Sequence, residues 1–283
     1  DILETLKLIE LFNTHKYILN NMIMRLEVAI AIEIKYFALT EFMPTFLERP
    51  FTLEIVDNVI TCENVETGEI NKKALKQKYN IPPIKFTGVI DRVDINGKNI
   101  SIIDYKSSQS DFSLDSLELG FISQILTYAL ACELMFDKNS EYILGIFYRE
   151  IAKLGKDLKT YRLRGLANSD LILDDEFYEK APEIMYVRTT KAKKIHGADS
   201  HKAFTSPELE KLVNKNLENI MILIEKIFAF DFDLANYEVE NQYSVEKETL
   251  FNFASNSDTR LSYKEKVELK PKDLKEKLLN DLK

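Results

Sequence analysis

Asp91, Asp104 and Lys106 lie within one short stretch, FTGVIDRVDINGKNISIIDYKSS (residues 86–108). Two carboxylates and an ammonium of this kind could hold a divalent cation and turn it on a phosphodiester. Mg²⁺ and Mn²⁺ are hard cations that prefer oxygen ligands. Once bound, such an ion polarises a phosphate and lowers the pKa of water. A lysine alongside can steady the attacking oxygen or balance phosphate charge. The pattern predicts that the three groups converge. Two alternating runs flank Asn96-Gly97, a strong hairpin signal. With Asn96 and Gly97 as the loop, Ile95 faces Lys98, Asp91 faces Ile102 and Val89 faces Asp104. Alternation then puts Asp91, Asp104 and Lys106 on one face. The two aspartates become diagonal neighbours, roughly 7–8 Å apart at the backbone. The plain alternative is an exposed ion-pair cluster on a solvated sheet. The surroundings disfavour it: Asp104 follows Ser101-Ile102-Ile103, a half-apolar helix comes next, and charges among apolar neighbours are costly unless they serve a purpose.

The elements that would carry this trio can be read outward from it. After the hairpin, SLELGFISQILTYALACELMF is apolar almost all round, which predicts a buried helix of about five turns. Gln124 and Tyr128 are its polar exceptions. They stack on one face and need partners when buried, either backbone groups or a substrate at the carboxylate face. Gly120 either allows close backbone approach or breaks the helix. YILGIFYREI reads as a strand covered on both sides. Upstream, residues 1–43 have helical periodicity and predict two or more packed helices, with Pro44 ending the last. His15, alone there, is either a surface or capping histidine or a metal ligand. PTFLERPFTLEIVDNVITC alternates like strand, with a turn at Asp57-Asn58. Glu48 heads it, either as an exposed strand carboxylate or as a charge at the mouth of a metal site. Residues 63–83 read as a surface loop with a helical turn around KKALKQK.

Downstream, YRLRGL reads as a short strand and DLILDDEFYEKAPEIM as a helix. Arg188, Lys191, Lys193, Lys194 and Lys202 form the densest basic stretch, either a solvated loop or a phosphate-gripping arm. Ser206-Pro207 reads as N-cap and first helical residue of a long amphipathic helix. LKPKDLKEKLLNDL predicts a terminal helix. The element order of helices, strands, hairpin, helix and strand predicts an α/β core with a mixed sheet.

Composition sets the outer bounds. The 283 residues are 45% hydrophobic and 30% charged, the profile of a soluble globular chain, and carry a net charge of −8. A nucleic-acid binder this acidic needs a local basic patch and a cation at its site. No apolar run approaches the roughly 18 residues of a membrane span. The opening DILETLKLIELF has neither an initiator Met nor the features of a signal peptide, and it reads as a cut inside a longer protein. Cys62 and Cys132 are the two cysteines. They exclude a disulfide framework and a self-contained cluster site, and make the reduced cytoplasm the expected compartment.

GVIDRVD, then IIDYKSS, then a helix with QILTY resembles the RecB-like branch of the PD-(D/E)XK nuclease superfamily. The likeness is greatest to the nuclease domains of AddB-type helicase–nuclease subunits. GFISQILTYALA is similar to that family's helix after the active-site lysine, GIFYREI to its next strand and PTFLERPF to its strand entry. The resemblance covers residues 40–150, and 180–230 more weakly. It implies a restriction-endonuclease-like α/β core, with a mixed central sheet flanked by helices, in one nuclease domain over residues 1–283. That domain divides into a helical part (1–43), a catalytic core (44–150) and helical additions (151–283).

The same resemblance implies that Asp91 and Asp104 ligate Mg²⁺ (or Mn²⁺), with the Tyr105 carbonyl as a further ligand. Lys106 would be the catalytic lysine, and Gln124 and Tyr128 would line the site and contact DNA. The activity implied is metal-dependent hydrolysis of DNA, as single strands or unwound ends, beside an AddA-type helicase subunit in double-strand-break repair. Two departures stand out. Many such domains hold an iron–sulfur cluster through an upstream cysteine and a C-terminal trio. YSVEKETLFNFASNSDTRLS has no cysteine, so no cluster is expected. The family's metal-binding histidine from an N-terminal helix has no match at His15, which places that ligand upstream of residue 1. A fold retained only for binding DNA or a partner, and a stand-alone RecB-like exonuclease, are the competing readings.

Overall fold

The structure is a computed structural model, and it describes residues 9–107, 110–118, 120–150, 161–174, 179–231 and 270–281. Its centre is a mixed sheet of eight strands among the described residues, in the order β3-β2-β1-β4-β5-β6-β7-β8. The strands are β1 (Met43–Val56), β2 (Val59–Glu63), β3 (Ile70–Ala74), β4 (Ile84–Asn96), β5 (Asn99–Lys106), β6 (Ile143–Glu150), β7 (Arg164–Asn168) and β8 (Ala203–Phe204). Helix α1 (Ile9–Thr40) covers one face. On the other lie α2 (Leu114–Glu118), α3 (Gln124–Met135), α6 (Ser206–Phe228) and α7 (Pro271–Asp281); two single turns, α4 (Ser169–Ile172) and α5 (Ala181–Ile184), link β7 to β8. Among the described residues no helix is long and apolar enough to cross a membrane.

Two apolar cores follow from strand alternation. Ile100 and Ile102 of β5 pack with Ile125, Leu126 and Ala129 of α3. Ile103, one residue out of phase, packs with Tyr36 of α1. β5 pairs antiparallel with β4 and parallel with β6. The parallel step requires a crossover, and α2 and α3 supply it.

Several expectations are corrected. The N-terminal region forms one continuous helix from Ile9 to Thr40; no Gly or Pro interrupts it. Pro44 lies inside β1 and does not end the helix. Thr40 donates its hydroxyl to the Tyr36 carbonyl, and the Asn96 amide donates to the Thr40 carbonyl at 3.1 Å, so the helix end is satisfied by the hairpin. The expected loop over 63–83 contains β3, a polar edge strand paired with β2, and charged side chains are normal on an edge. The long buried helix is two helices. The Phe121 N–H donates to the Ser116 carbonyl and the Gly120 N–H to the Leu117 carbonyl, with Gly120 at φ +86°. That is a Schellman ending, and the left-handed glycine is what stops α2. Thr205, not Ser206, caps α6, in a capping box with Glu208. His15 falls on α1 among residues whose side chains lie outside the described set.

Candidate active site

The hairpin forms with a different loop. Asn96 pairs with Asn99, Arg92 with Ile103, and the turn residues are Gly97 and Lys98. Gly97 has φ +56°, which suits the first central position of a type II′ turn. The register is therefore two residues away from the expected one. A two-residue shift preserves which side chains share a face, but it brings Asp91 level with Asp104 rather than diagonal to it.

The β4–β5 ladder ends at Arg92↔Ile103. Beyond it the Tyr105 N–H donates to Asp91 Oδ2 at 2.8 Å, so a side chain takes over where backbone pairing stops. On β1, Glu48 stands level with Asp91 and has φ +49°. The acidic groups thus gather where the sheet's central ladders are interrupted. Ile90 and Val93 both join the core beneath α3, so β4 does not alternate strictly across this point.

Asp104 is 2% exposed, and its Oδ2 is 2.6 Å from Lys106 Nζ. Apart from that ion pair, Oδ2 has no hydrogen-bond donor. Burial pushes the Asp104 carboxyl above its ordinary pKa, Lys106 pulls it back in part, and the Asp91 charge adds to the rise. Lys106 Nζ donates to Gln124 Oε1 at 2.9 Å, and Gln124 Nε2 donates to the Tyr128 hydroxyl at 2.6 Å. The helix pair thus continues the lysine's hydrogen-bond chain. Burial raises the Tyr128 pKa, the Gln124 bond opposes it, and the charges of Asp104, Asp91 and Glu48 raise it further. All three carboxylates therefore act on one hydroxyl.

Neighbouring residues set these groups in place. Phe51 meets the Tyr128 ring edge to face at 6.0 Å. Gly88 lies under Phe51, where a Cβ would come within 2.6 Å of the ring. On α6, Asn216 accepts from the Ser123 N–H at 2.6 Å and donates to Thr127 Oγ1 at 3.0 Å, fixing the first turn of α3.

Sequence reasoning brings out Asp91, Asp104, Lys106, Gln124 and Tyr128, and the structure brings these five together. Tyr105 is adjacent, but its side chain points to the opposite face, where its hydroxyl accepts from Arg92 Nη1 at 2.8 Å. Sequence reasoning misses Tyr148. It is level with Asp104 on β6, and Lys106 Nζ lies 5.7 Å from its ring centroid. Burial, then Asp104, Asp111 and Tyr128, push its pKa up to about 12. Its signal is its place in the next strand, seven residues into YILGIFYREI.

Sequence reasoning also misses a buried ionic network behind the site. Arg92 forks onto both Asp94 oxygens at 2.6 Å and donates to Glu33 of α1 at 2.7 Å, and Glu33 also pairs with Arg149 at 3.1 Å. Burial opposes the Arg92 charge, but Asp94 and Glu33 outweigh it and hold the guanidinium protonated. The network ties α1 to β4 and β6 directly behind Asp91 and Asp104. Its signal is DRVD itself, where alternation sends Arg92 and Asp94 to the face that Asp91 does not use.

Over residues 10–238 the sequence matches the family model of the PD-(D/E)XK nuclease superfamily. The chain belongs to that superfamily. It is also similar to curated relatives, each named as the B-type subunit of an ATP-dependent helicase/deoxyribonuclease. The one from Carboxydothermus hydrogenoformans is 29% identical over 208 residues, 63% of this chain and 18% of the relative. Those from Streptococcus pyogenes serotypes M12 and M1 are 25% and 26% identical over 123 residues, 41% of this chain and 11% of each relative. The chain therefore spans less than a fifth of the length of these relatives. The mixed sheet with helices on both faces agrees with the restriction-endonuclease-like core of this nuclease superfamily.

The donor set fits a hard divalent cation. Asp104 Oδ2 is a buried oxygen with no donor apart from its ion pair with the Lys106 ammonium, and Asp91 is level with Asp104. Among the described residues no group of three or more His, Cys, Asp or Glu could hold a metal ion. Mg²⁺ does not need one, because it is commonly held by one or two carboxylates with waters and substrate phosphates completing its shell.

Proposed function

We propose that this chain is a Mg²⁺- or Mn²⁺-dependent deoxyribonuclease module that hydrolyses phosphodiester bonds. We assign it to the nuclease part of an AddAB-type helicase–nuclease, acting on single-stranded or unwound DNA ends in break repair beside an AddA-type helicase subunit. The observation that carries the reading is the convergence of Asp91, Asp104 and Lys106, with Lys106 held by Gln124 and Tyr128, where the β4–β5 ladder ends. The names of the relatives support the helicase–nuclease context.

Asp91 and Asp104 would hold the cation, with the Tyr105 carbonyl as a further candidate ligand. Held there, a divalent cation would supply polarisation of the phosphodiester and a lowered pKa for an attacking water. Lys106 carries three N–H donors. Gln124 takes one, and Asp104 lies beside the ammonium, so the head group is aimed and still has a donor for the attacking oxygen or a phosphate oxygen. Flipping the Gln124 amide would set its NH₂ against the donor-only Lys106 ammonium, whereas the Tyr128 hydroxyl can donate or accept, so Lys106 fixes the amide's orientation. Tyr128, with its pKa raised, stays protonated and keeps its O–H proton to donate toward the phosphate.

The test is cleavage of labelled single-stranded DNA with Mg²⁺, Mn²⁺ or EDTA, for wild type, Asp104→Ala and Lys106→Ala. Metal-dependent cleavage that falls about a hundredfold or more in each variant supports the reading. Binding without cleavage, unchanged in the variants, would leave the fold as a DNA-binding module.

A further inference from the structure

The row of side chains that contains Asp104 continues across the sheet. Asp104 is level with Tyr148 across β5–β6, and Tyr148 is level with Arg164 across β6–β7. Arg164 therefore stands on the α3 face, two strand spacings or about 10 Å from Asp104. Its guanidinium lies 4.3 Å from the ring centroid of Tyr186. Lys202 Nζ lies 5.7 Å from the same centroid and the Arg162 guanidinium 5.9 Å. Backbone bonds fix the ring's place: the Leu163 N–H donates to the Ile184 carbonyl and the Tyr186 N–H to the Leu163 carbonyl, both at 2.8 Å.

Three cations around one ring repel each other. A single carboxylate serves two of them: Asp111 Oδ2 is 2.7 Å from Lys202 Nζ and 3.8 Å from Arg164 Nη1. Arg164 is 14% exposed and Lys202 18%, so both are partly desolvated, while Asp111, at 32%, is the most open of the three. Asp111 lies in the segment between β5 and α2 and acts electrostatically on Tyr148. The cluster is thus an anion clamp already holding an anion from its own chain. It lies two strands from the acidic pair proposed above to act on phosphodiesters, in a protein whose net charge is −8.

We infer that Arg164 and Lys202, held by Tyr186, form a subsite for a backbone phosphate of the nucleic-acid strand next to the scissile one, and that Asp111 is an internal stand-in which the phosphate displaces. Arg164 offers a planar fork suited to phosphate oxygens, and Lys202 a point charge. Before substrate arrives, Asp111 keeps both cations ordered. When the strand enters, its phosphate competes with Asp111, so part of the binding energy goes into that exchange. The subsite would set how the strand runs across the sheet, from β7 toward the acidic pair. This inference rests on the nuclease reading for its substrate class.

The test uses the full chain, a fluorescein-labelled oligo-dT and EDTA, so that binding is measured by anisotropy without cleavage. Arg164→Ala and Lys202→Ala should each weaken binding about five- to tenfold at low salt. Each should also flatten the dependence of log K on log salt by about 0.7, the share of one phosphate that the variant no longer neutralises. Asp111→Asn should tighten binding by a similar factor, a gain that misfolding cannot imitate. Wild type without measurable affinity, cation variants that bind as wild type with an unchanged salt slope, or Asp111→Asn that binds more weakly would each overturn it. Because no cleavage is read, these shifts in a catalytically inert protein would sustain the subsite while the nuclease reading fell. Active protein whose variants bind alike would do the reverse.

Discussion

Glu48 and Asp91 occupy the single position skipped in an otherwise unbroken β1–β4 ladder from Phe46↔Val93 to Ile55↔Ile84. Glu48 pays for that place with a left-handed backbone at φ +49°, a conformation a non-glycine residue adopts at a cost of roughly 1–2 kcal/mol. Its charge reaches the Tyr128 hydroxyl along with those of Asp91 and Asp104. Strain at a carboxylate level with Asp91, whose charge acts on the Tyr128 hydroxyl, points to a role near the site. Glu48→Gly should gain about 1 kcal/mol of stability in urea denaturation and lose cleavage about tenfold at limiting Mg²⁺. Glu48→Gln should show the same loss without the gain in stability. Wild-type cleavage by Glu48→Gln across a full metal titration would remove this carboxylate from the site.

Asp104 gives a prediction whose sign can be worked out. Burial raises its folded-state pKa above the ordinary carboxylate value, against the pull of Lys106. The folded protein then binds this proton more readily than the unfolded chain does. Its contribution to stability therefore falls as pH rises from the unfolded value, near 3.9, through the raised folded value. At neutral pH without a cation, ionised Asp104 is a liability. In EDTA at pH 7, Asp104→Asn should melt above wild type, and the two should converge in acid below pH 4. Divalent cation at about a hundredfold over its Kd should add about 2.7 kcal/mol to wild type and far less to the variant. Thermal melts with and without Mg²⁺ decide it, and a variant melting below wild type in EDTA would contradict the argument.

Alternation makes the face shared by Asp91, Asp104 and Lys106 legible in the sequence alone. A register error of two residues leaves that face intact, because the period of a strand is two. The register itself is not legible. Asn-Gly marks a tight turn, but not whether its glycine is the first or the second loop residue. Partners remote in the chain are invisible as pairs: Glu33 and Arg92 stand 59 residues apart, and Asn216 and Ser123 stand 93 apart. β3 is hidden because INKKA is polar. An edge strand buried on one side needs little apolar content, and β3 alternates only between exposed and half-buried positions. The break at Gly120 is readable as one of two options, and its positive φ decides between them.

Gly88 is held to glycine by Phe51. An added Cβ would meet the ring at 2.6 Å, and that ring also meets Tyr128. Gly88→Ala should destabilise the fold by about 1–3 kcal/mol through overpacking and lower cleavage severalfold as the displaced ring disturbs Tyr128. Phe51→Leu in the same chain should recover most of the stability, because it vacates the space the methyl needs. Chemical denaturation of the single and double variants tests this, and additive losses would mean the clash is relieved elsewhere.

Asn216 touches none of the acidic groups and should still matter to the chemistry. It is fully buried on α6, and its side chain serves both the Ser123 N–H and Thr127 Oγ1. Between those two positions lies Gln124, the first residue of α3 and the acceptor for Lys106. Asn216→Leu preserves volume and removes both bonds, leaving the half-buried Ser123 N–H without its partner at a cost of about 1 kcal/mol. The first turn of α3 then loosens and Gln124 no longer aims the lysine. Cleavage should fall roughly tenfold in kcat, with the Mg²⁺ requirement unchanged because the carboxylates stay in place. If the effect runs through Lys106, adding Asn216→Leu to Lys106→Ala should cost nothing further in kcat. The two losses multiplying instead would mean that Asn216 acts on the reaction by a route independent of the lysine.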